Sequence, residues 1–425
     1  MKWRAASLVL LMASPAGFAG DASGVHAGSA VSAPLTLMEA VSNALAGNPN
    51  LLAARAKWEA LKNKPAQAGA LADPMFTVRG MDMADGGDFP NANEKQFAVE
   101  QPLTGFGKGG LRRRAAEYEV QAMEYEYRTM ALDLALDVKE TFYGLWAARQ
   151  ARDVVRAETN VLARLEAVAQ TAYVAGRTSQ ADVLKAQAEL TMLEPRLFEL
   201  DAQIRNLEAK LNVLMGRAAE ASIEMAPPPD LPDAVGNADD LRGVAEQNRP
   251  EIKRAAAELE RARIERTRMG RESLPDYRVG FEYRTFRDDE PDMAMFMVGV
   301  ELPIWREKIR AGIREADHMV TSGQAALEAA RQQADLDVRQ AGFNAQTARK
   351  TLELYRATLV PQARARFEAS EAGYRAGQTD FMDLLESERF WLEARILAAM
   401  AEGAAGGQAA RLDRALGTGI DDNAK

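Results

Sequence analysis

Apolar positions change their period along this chain of 425 residues, and each period predicts an element. Across 74–83, 95–103, 275–286 and 292–302 they alternate with polar residues, the spacing of strands with two unlike faces. One face carries Phe76, Val78, Phe97, Val99, Phe281 and Phe296; the other carries Arg79, Met81, Met83, Arg278, Glu282, Met295 and Met297. Elsewhere the period is helical. Leu190, Leu193, Leu197, Leu200, Ile204, Leu207, Leu211 and Leu214 step by three and four, a heptad seam. Pro195 lies inside that seam and predicts a local bend or one unpaired carbonyl. Residues 107–172 hold no proline, and a helix that long runs on the order of 100 Å. Further helices are expected over 36–62, opened by a Thr36/Glu39 capping box, and over 238–270, 307–373 and 380–415.

The pattern occurs twice at a fixed offset of 201 residues. Pro49 returns as Pro250, Glu100 as Glu301, and Tyr173, Gly176, Thr178 and Asp182 as Tyr374, Gly377, Thr379 and Asp383. A period this long rules out a solenoid and indicates a duplicated block of helix, two strands and a long helical hairpin. The expected layout is a first repeat over 36–216 with its hairpin at 107–215, and a second over 237–417 with its hairpin at 307–415. A proline-rich linker, 217–236, joins them, and 418–425 forms a tail.

Strands of about ten residues, apolar outside and polar inside, fit a tilted transmembrane barrel. A chain with four strands cannot close one, and open edges are not tolerated in lipid. Several copies in a ring are therefore implied. Three copies give twelve strands, the smallest count that leaves a duct rather than a filled interior. A small soluble sheet packed on one face is the plainer reading of the same alternation.

Composition narrows the class. Net charge is -9 and pI about 5.2, which argues against a nucleic-acid partner. Residues 1–19 read as a signal peptide: Lys2 and Arg4, a short apolar run, then Gly17-Phe18-Ala19. Residues 20–35 read as a flexible mature N-terminus containing His26. Cysteine is absent, so disulfides, thiolate chemistry and a lipid-anchored N-terminus are not expected. No nucleophile–base pair or cofactor loop stands out, so neither an enzyme nor a cofactor is expected, and no stable metal site. Gly105-Phe-Gly-Lys-Gly-Gly110 lacks the phosphate-loop spacing and reads as a strand-to-helix turn; His318 reads as a surface residue on a long helix.

The ordered set of duplicated motifs resembles the TolC-like outer-membrane efflux channels over nearly the whole chain. It includes Asn48-Pro49-Asn50-Leu51 with Arg249-Pro250-Glu251-Ile252, and Gln101-Pro102-Leu103 with Leu302-Pro303-Ile304. Its strongest members are Tyr173-Val-Ala-Gly176-Arg-Thr-Ser-Gln-Ala-Asp182 and Tyr374-Arg-Ala-Gly377-Gln-Thr-Asp-Phe-Met-Asp383. The resemblance implies a mainly α fold with a β-barrel contribution: a homotrimer with a twelve-stranded barrel in outer-membrane lipid, continued by a twelve-helix periplasmic tunnel. It implies a periplasmic adaptor and an inner-membrane RND-type pump as partners. It carries a periplasmic gate onto Asp383, Glu386 and Tyr374, with Thr379 standing where the family has an arginine. For Asp383 a helix-capping role stays open beside the gate. The turns at Gly176, Arg177, Thr178, Ser179, Gly377, Gln378 and Thr379 are the expected adaptor-docking tips. Ala70-Leu-Ala-Asp-Pro-Met75 and Gly105-Phe-Gly-Lys108 look most like the heavy-metal, copper-like branch. The lumen-face methionines suit soft cations or simply fill space. Multidrug efflux and type I secretion are the alternatives within transport. A periplasmic adaptor is the alternative outside it, disfavoured by the presence of two hairpins.

Overall fold

The computed structural model describes residues 34–81, 89–231, 238–287 and 291–420. Met83 and the expected signal peptide lie outside the described residues.

Prolines decide where the short helices break. The helix expected over 36–62 is divided into α1 (Leu37–Gly47) and α2 (Pro49–Leu61), followed by α3 (Lys64–Gly69). The reason is Pro49: the residue before a proline avoids the helical region, and Asn48 is extended at ψ 120°. The Asn48 side chain then caps α2 by accepting from the N–H groups of Asn50 and Leu51. The Thr36/Glu39 capping box forms as expected. The second copy repeats the break, with α6 (Ala238–Asn248), an extended Arg249, and α7 (Pro250–Arg271).

Two strands follow each helical start: β1 (Met75–Met81) and β2 (Glu94–Leu103), then β3 (Asp276–Phe286) and β4 (Met293–Glu301). They form one antiparallel sheet in the order β1-β2-β3-β4. One row runs Phe76, Val99, Phe281, Phe296, so these side chains share a face. The next row, Thr77, Ala98, Glu282, Met295, lies on the other face, which also holds Arg79, Met81, Arg278 and Met297. The two-faced alternation holds through all four strands. In the single chain the apolar face is bare: Phe76 is 65% exposed and Phe296 73%.

The hairpins are α4 (Lys108–Val174) with α5 (Gln180–Leu214), and α8 (Arg306–Leu354) and α9 (Val360–Arg375) with α10 (Phe381–Leu416). α5 continues through Pro195 without a break. The helix expected over 307–373 instead contains a π turn, Tyr355–Leu359, just before Pro361. Proline has no N–H for the preceding turn, and a wider turn accommodates that loss. All four long helix ends close the same way. Gly176, Gly216, Gly377 and Gly417 sit at φ near 70°, and the next N–H reaches back to Ala172, Asn212, Gly373 and Asp413. Only glycine takes this left-handed geometry without strain.

Two apolar clusters bind the hairpins. One, around Val138, Phe142, Leu145 and Leu211, joins α1, α4 and α5; the other, around Val155, Leu162, Phe367, Leu384 and Leu392, lies toward the tips. Between them α10 approaches α4 closely. A methyl group at Gly406 would lie 2.2 Å from the Tyr143 ring, and one at Gly403 2.5 Å from Ala147. The start of the linker is pinned where Leu35 N–H donates to the Glu224 carbonyl at 2.7 Å. Among the described residues no helix is long and apolar enough to cross a membrane.

Candidate aperture at the helical tips

The two tips lie side by side and enclose an open cleft of about 900 Å³. Thr178, Asp182, Tyr374, Thr379 and Phe381 are among the residues that line it. In the first tip Ser179 is the N-cap of α5 and Asp182 closes a capping box. The Asp182 carboxylate accepts from Ser179 N–H at 3.1 Å and from the hydroxyls of Ser179 and Thr178, each at 2.7 Å. The Ser179 and Thr178 hydroxyls hold its pKa below the ordinary value.

The second tip uses different atoms. Asp380, not Asp383, caps α10: its carboxylate accepts from Asp383 N–H at 2.8 Å. Asp383 holds the same helical position as Asp182, but Asp380 stands where Ser179 offers a hydroxyl and Thr379 donates elsewhere, so the capping alternative for Asp383 falls to Asp380. Asp383 and Glu386, three residues apart on α10, are both exposed. Arg366 on α9 is 4.0 Å from Glu386. Tyr374 packs edge-on against Phe381 at 5.6 Å. Burial, then the nearby Asp182 carboxylate of the first tip, raises its pKa. Thr379 turns inward and donates to the Ser370 carbonyl at 3.3 Å, whereas Gly176, Arg177, Ser179, Gly377 and Gln378 are exposed at the turns.

One pair near the tips escaped the sequence reading. Glu158 on α4 and Glu388 on α10 are buried at 0% and 2% exposure within the apolar cluster. Arg395 approaches Glu158 at 3.2 Å, while an oxygen of each carboxyl finds no hydrogen-bond partner. Burial, followed by the Glu158 hydrogen bond and charge, pushes the Glu388 carboxyl up to about 10. The signal was present: Glu388 stands four residues from both Leu384 and Leu392, on the apolar stripe of α10.

On the strands, Arg278 pairs with Glu301 at 2.8 Å and Arg284 contacts Glu282 and Glu94, so the polar face is a charged one. Among the described residues no group of three or more His, Cys, Asp or Glu side chains is arranged to hold a metal ion.

The family model described as outer membrane efflux protein matches residues 40–217 and 241–418, two stretches that keep the 201-residue offset. The chain belongs to this family. The cobalt-zinc-cadmium resistance protein CzcC of Cupriavidus metallidurans is 25% identical over 399 residues, covering 90% of each chain. The protein CyaE of Bordetella pertussis is 24% identical over 390 residues, covering 85% of this chain and 79% of that one. Among solved structures, the outer-membrane channel OprN aligns with TM-score 0.76 at 19% identity, over 90% of this chain and 89% of its own. CusC aligns with TM-score 0.75 at 15% identity, over 90% and 92%. The fold is that of the outer-membrane channels, and the outer membrane is where a member of this efflux family resides.

Proposed function

We propose that the chain forms, as a homotrimer, the outer-membrane duct of a tripartite efflux system that exports heavy-metal cations. The observation that carries the duct is the sheet: among the described residues, four strands, a bare apolar face, and unpaired edges at β1 and β4. Lipid tolerates neither edge, and threefold closure removes both while leaving a lumen. The helices continue that lumen into the periplasm. Asp383 and Glu386 of three copies then ring the aperture, repelling anions and favouring cations. An adaptor docks at the exposed turns around Gly176 and Gly377, and an RND-type pump supplies the cargo. Similarity to CzcC over nearly the full length of both chains favours metals as that cargo.

A susceptibility panel on a deletion strain tests this reading with Co, Zn, Cd, Cu, Ag, dyes and antibiotics side by side. Sensitivity confined to metals is the expected result. Sensitivity to dyes and antibiotics alone would move the chain to multidrug efflux, and loss of a secreted protein would move it to type I secretion.

A further inference from the structure

Every methionine in the described sheet lies on an edge strand and on the polar face: Met75 and Met81 on β1, Met293, Met295 and Met297 on β4. β2 and β3 have none. Within one chain the two edges are about 14 Å apart, three strand spacings, so the two groups do not meet. They meet only where β4 of one copy pairs with β1 of the next.

The register of that junction follows from barrel geometry. Four strands about 4.8 Å apart, tilted by about 35–45°, displace the next copy by roughly 13–19 Å along the strand, or about four to six residues. The displacement must be even, because an odd one would exchange the lipid and lumen faces. Within one sheet Met75 lies level with Met297, through Glu100 and Gly280. A displacement of about four residues sets Met81 opposite Met295 and pairs all of β1 with residues 295–301. It also joins Phe76 to Val300 and Val78 to Val298, which keeps the lipid face apolar. A displacement of about six sets Met81 opposite Met297, with residues 77–81 still paired. The opposite sense leaves β1 almost nothing to pair with. Both closing registers thus bring together the same three side chains.

Resting on the trimeric reading above, we propose that each subunit junction of the barrel carries a soft-cation site made of Met81 from one copy and Met295 and Met297 from its neighbour. Residues directly opposite have Cβ atoms about 5 Å apart and diagonal ones about 7–8 Å, within reach of flexible thioethers. Three neutral sulfurs suit Cu(I) or Ag(I). Zn(II) takes thiolate, imidazole or carboxylate donors instead. Glu94 faces Met81 across β1 and β2 and Glu282 faces Met295 across β3 and β4, while Arg79 and Arg284 lie on the same face, so two acids and two bases flank the trio. A nearly neutral pocket favours a monovalent ion. No single chain contains the site.

The test is silver binding to the purified full-length ring in chloride-free detergent, by equilibrium dialysis with silver nitrate. Methionine methyl NMR on ¹³C-labelled protein identifies the ligands. One Ag(I) per junction is expected, moving the methyls of Met81, Met295 and Met297 while Zn(II) leaves them in place. Met81→Leu and Met297→Leu, on opposite strands, should each weaken binding by at least about tenfold, since loss of even an outer-shell partner costs that much. Met75→Leu should not. A ring that binds no silver, or binds it equally after both leucine substitutions, overturns the site and makes these methionines packing alone. Equal movement with Zn(II) overturns the ligand class. A chain that never assembles into a ring overturns the trimeric reading and the site with it, and native mass measurement on the same sample separates these failures.

Discussion

In the first tip the Asp182 carboxylate is tied to Ser179 and Thr178; 201 residues on, Asp380 accepts the Asp383 N–H and the Asp383 side chain is exposed. The backbone turns are the same in both, with glycine at φ 70° and the same returning hydrogen bond. One copy uses its acid to close a helix end. The other caps from the same position with Asp380 in place of Ser179, and leaves Asp383 and Glu386 exposed. A duplicated frame thus lets one copy use its acid for stability while the other leaves it exposed, as the proposed aperture requires. The asymmetry extends up the hairpin: Gly403 and Gly406 of α10 admit Tyr143 of α4, whereas the equivalent positions on α5 are Ala202 and Arg205.

The largest effect is expected where that asymmetry is tightest. Gly406→Ala forces a methyl into the Tyr143 ring and should destabilise the chain by about 1–3 kcal/mol, the cost of overpacking. Arg205→Ala, exposed at the equivalent site, should change thermal stability by less than about 0.5 kcal/mol. Equal losses in melting experiments would break the comparison.

Next comes the buried pair between the same two helices. The folded pKa of Glu388 is raised to about 10, so the native state keeps a proton that the unfolded chain releases above the ordinary value of 4.5. Stability from this group is complete below that value and is lost as pH rises toward the folded pKa. Glu388→Gln keeps the shape without the titration. Its melting temperature should depend less on pH between about 5 and 9, and its advantage should grow by more than about 1 kcal/mol across that window, one pK unit being worth that much. Parallel pH profiles would place the Glu388 proton elsewhere.

Smaller still is the difference between the tips themselves. Asp182→Ala should cost about 1 kcal/mol as a capping box is lost. Asp383→Ala should stay within about 0.5 kcal/mol, because its carboxylate supports no helix end. Chemical denaturation of the two variants under one condition checks the contrast.

Much of the frame was legible because period and repetition report burial directly. The strand faces followed from alternation, and the tip glycines recurred at the right offset. The helix breaks at Asn48 and Arg249 were harder, since the apolar pattern continues across Pro49 and Pro250 while the backbone does not. The π turn before Pro361 was missed for the same reason: a helical period persists through a turn one residue too wide. At the tips the residue types were readable but their division between capping and exposure was not. Whether Asp380 or Asp383 caps α10 depends on where the helix begins, a matter of one turn. Glu388 was hidden among leucines, and its partner Glu158 lies on a helix 230 positions earlier in the sequence.

The central claim is that the freed acids of the second tip set what passes the aperture. Single-channel recording in planar bilayers tests it directly, with wild type, Asp182→Asn and the double variant Asp383→Asn/Glu386→Gln measured under a salt gradient. The account predicts cation preference in wild type and Asp182→Asn, and its loss with a rise in resting conductance in the double variant. An unchanged preference in the double variant would contradict it.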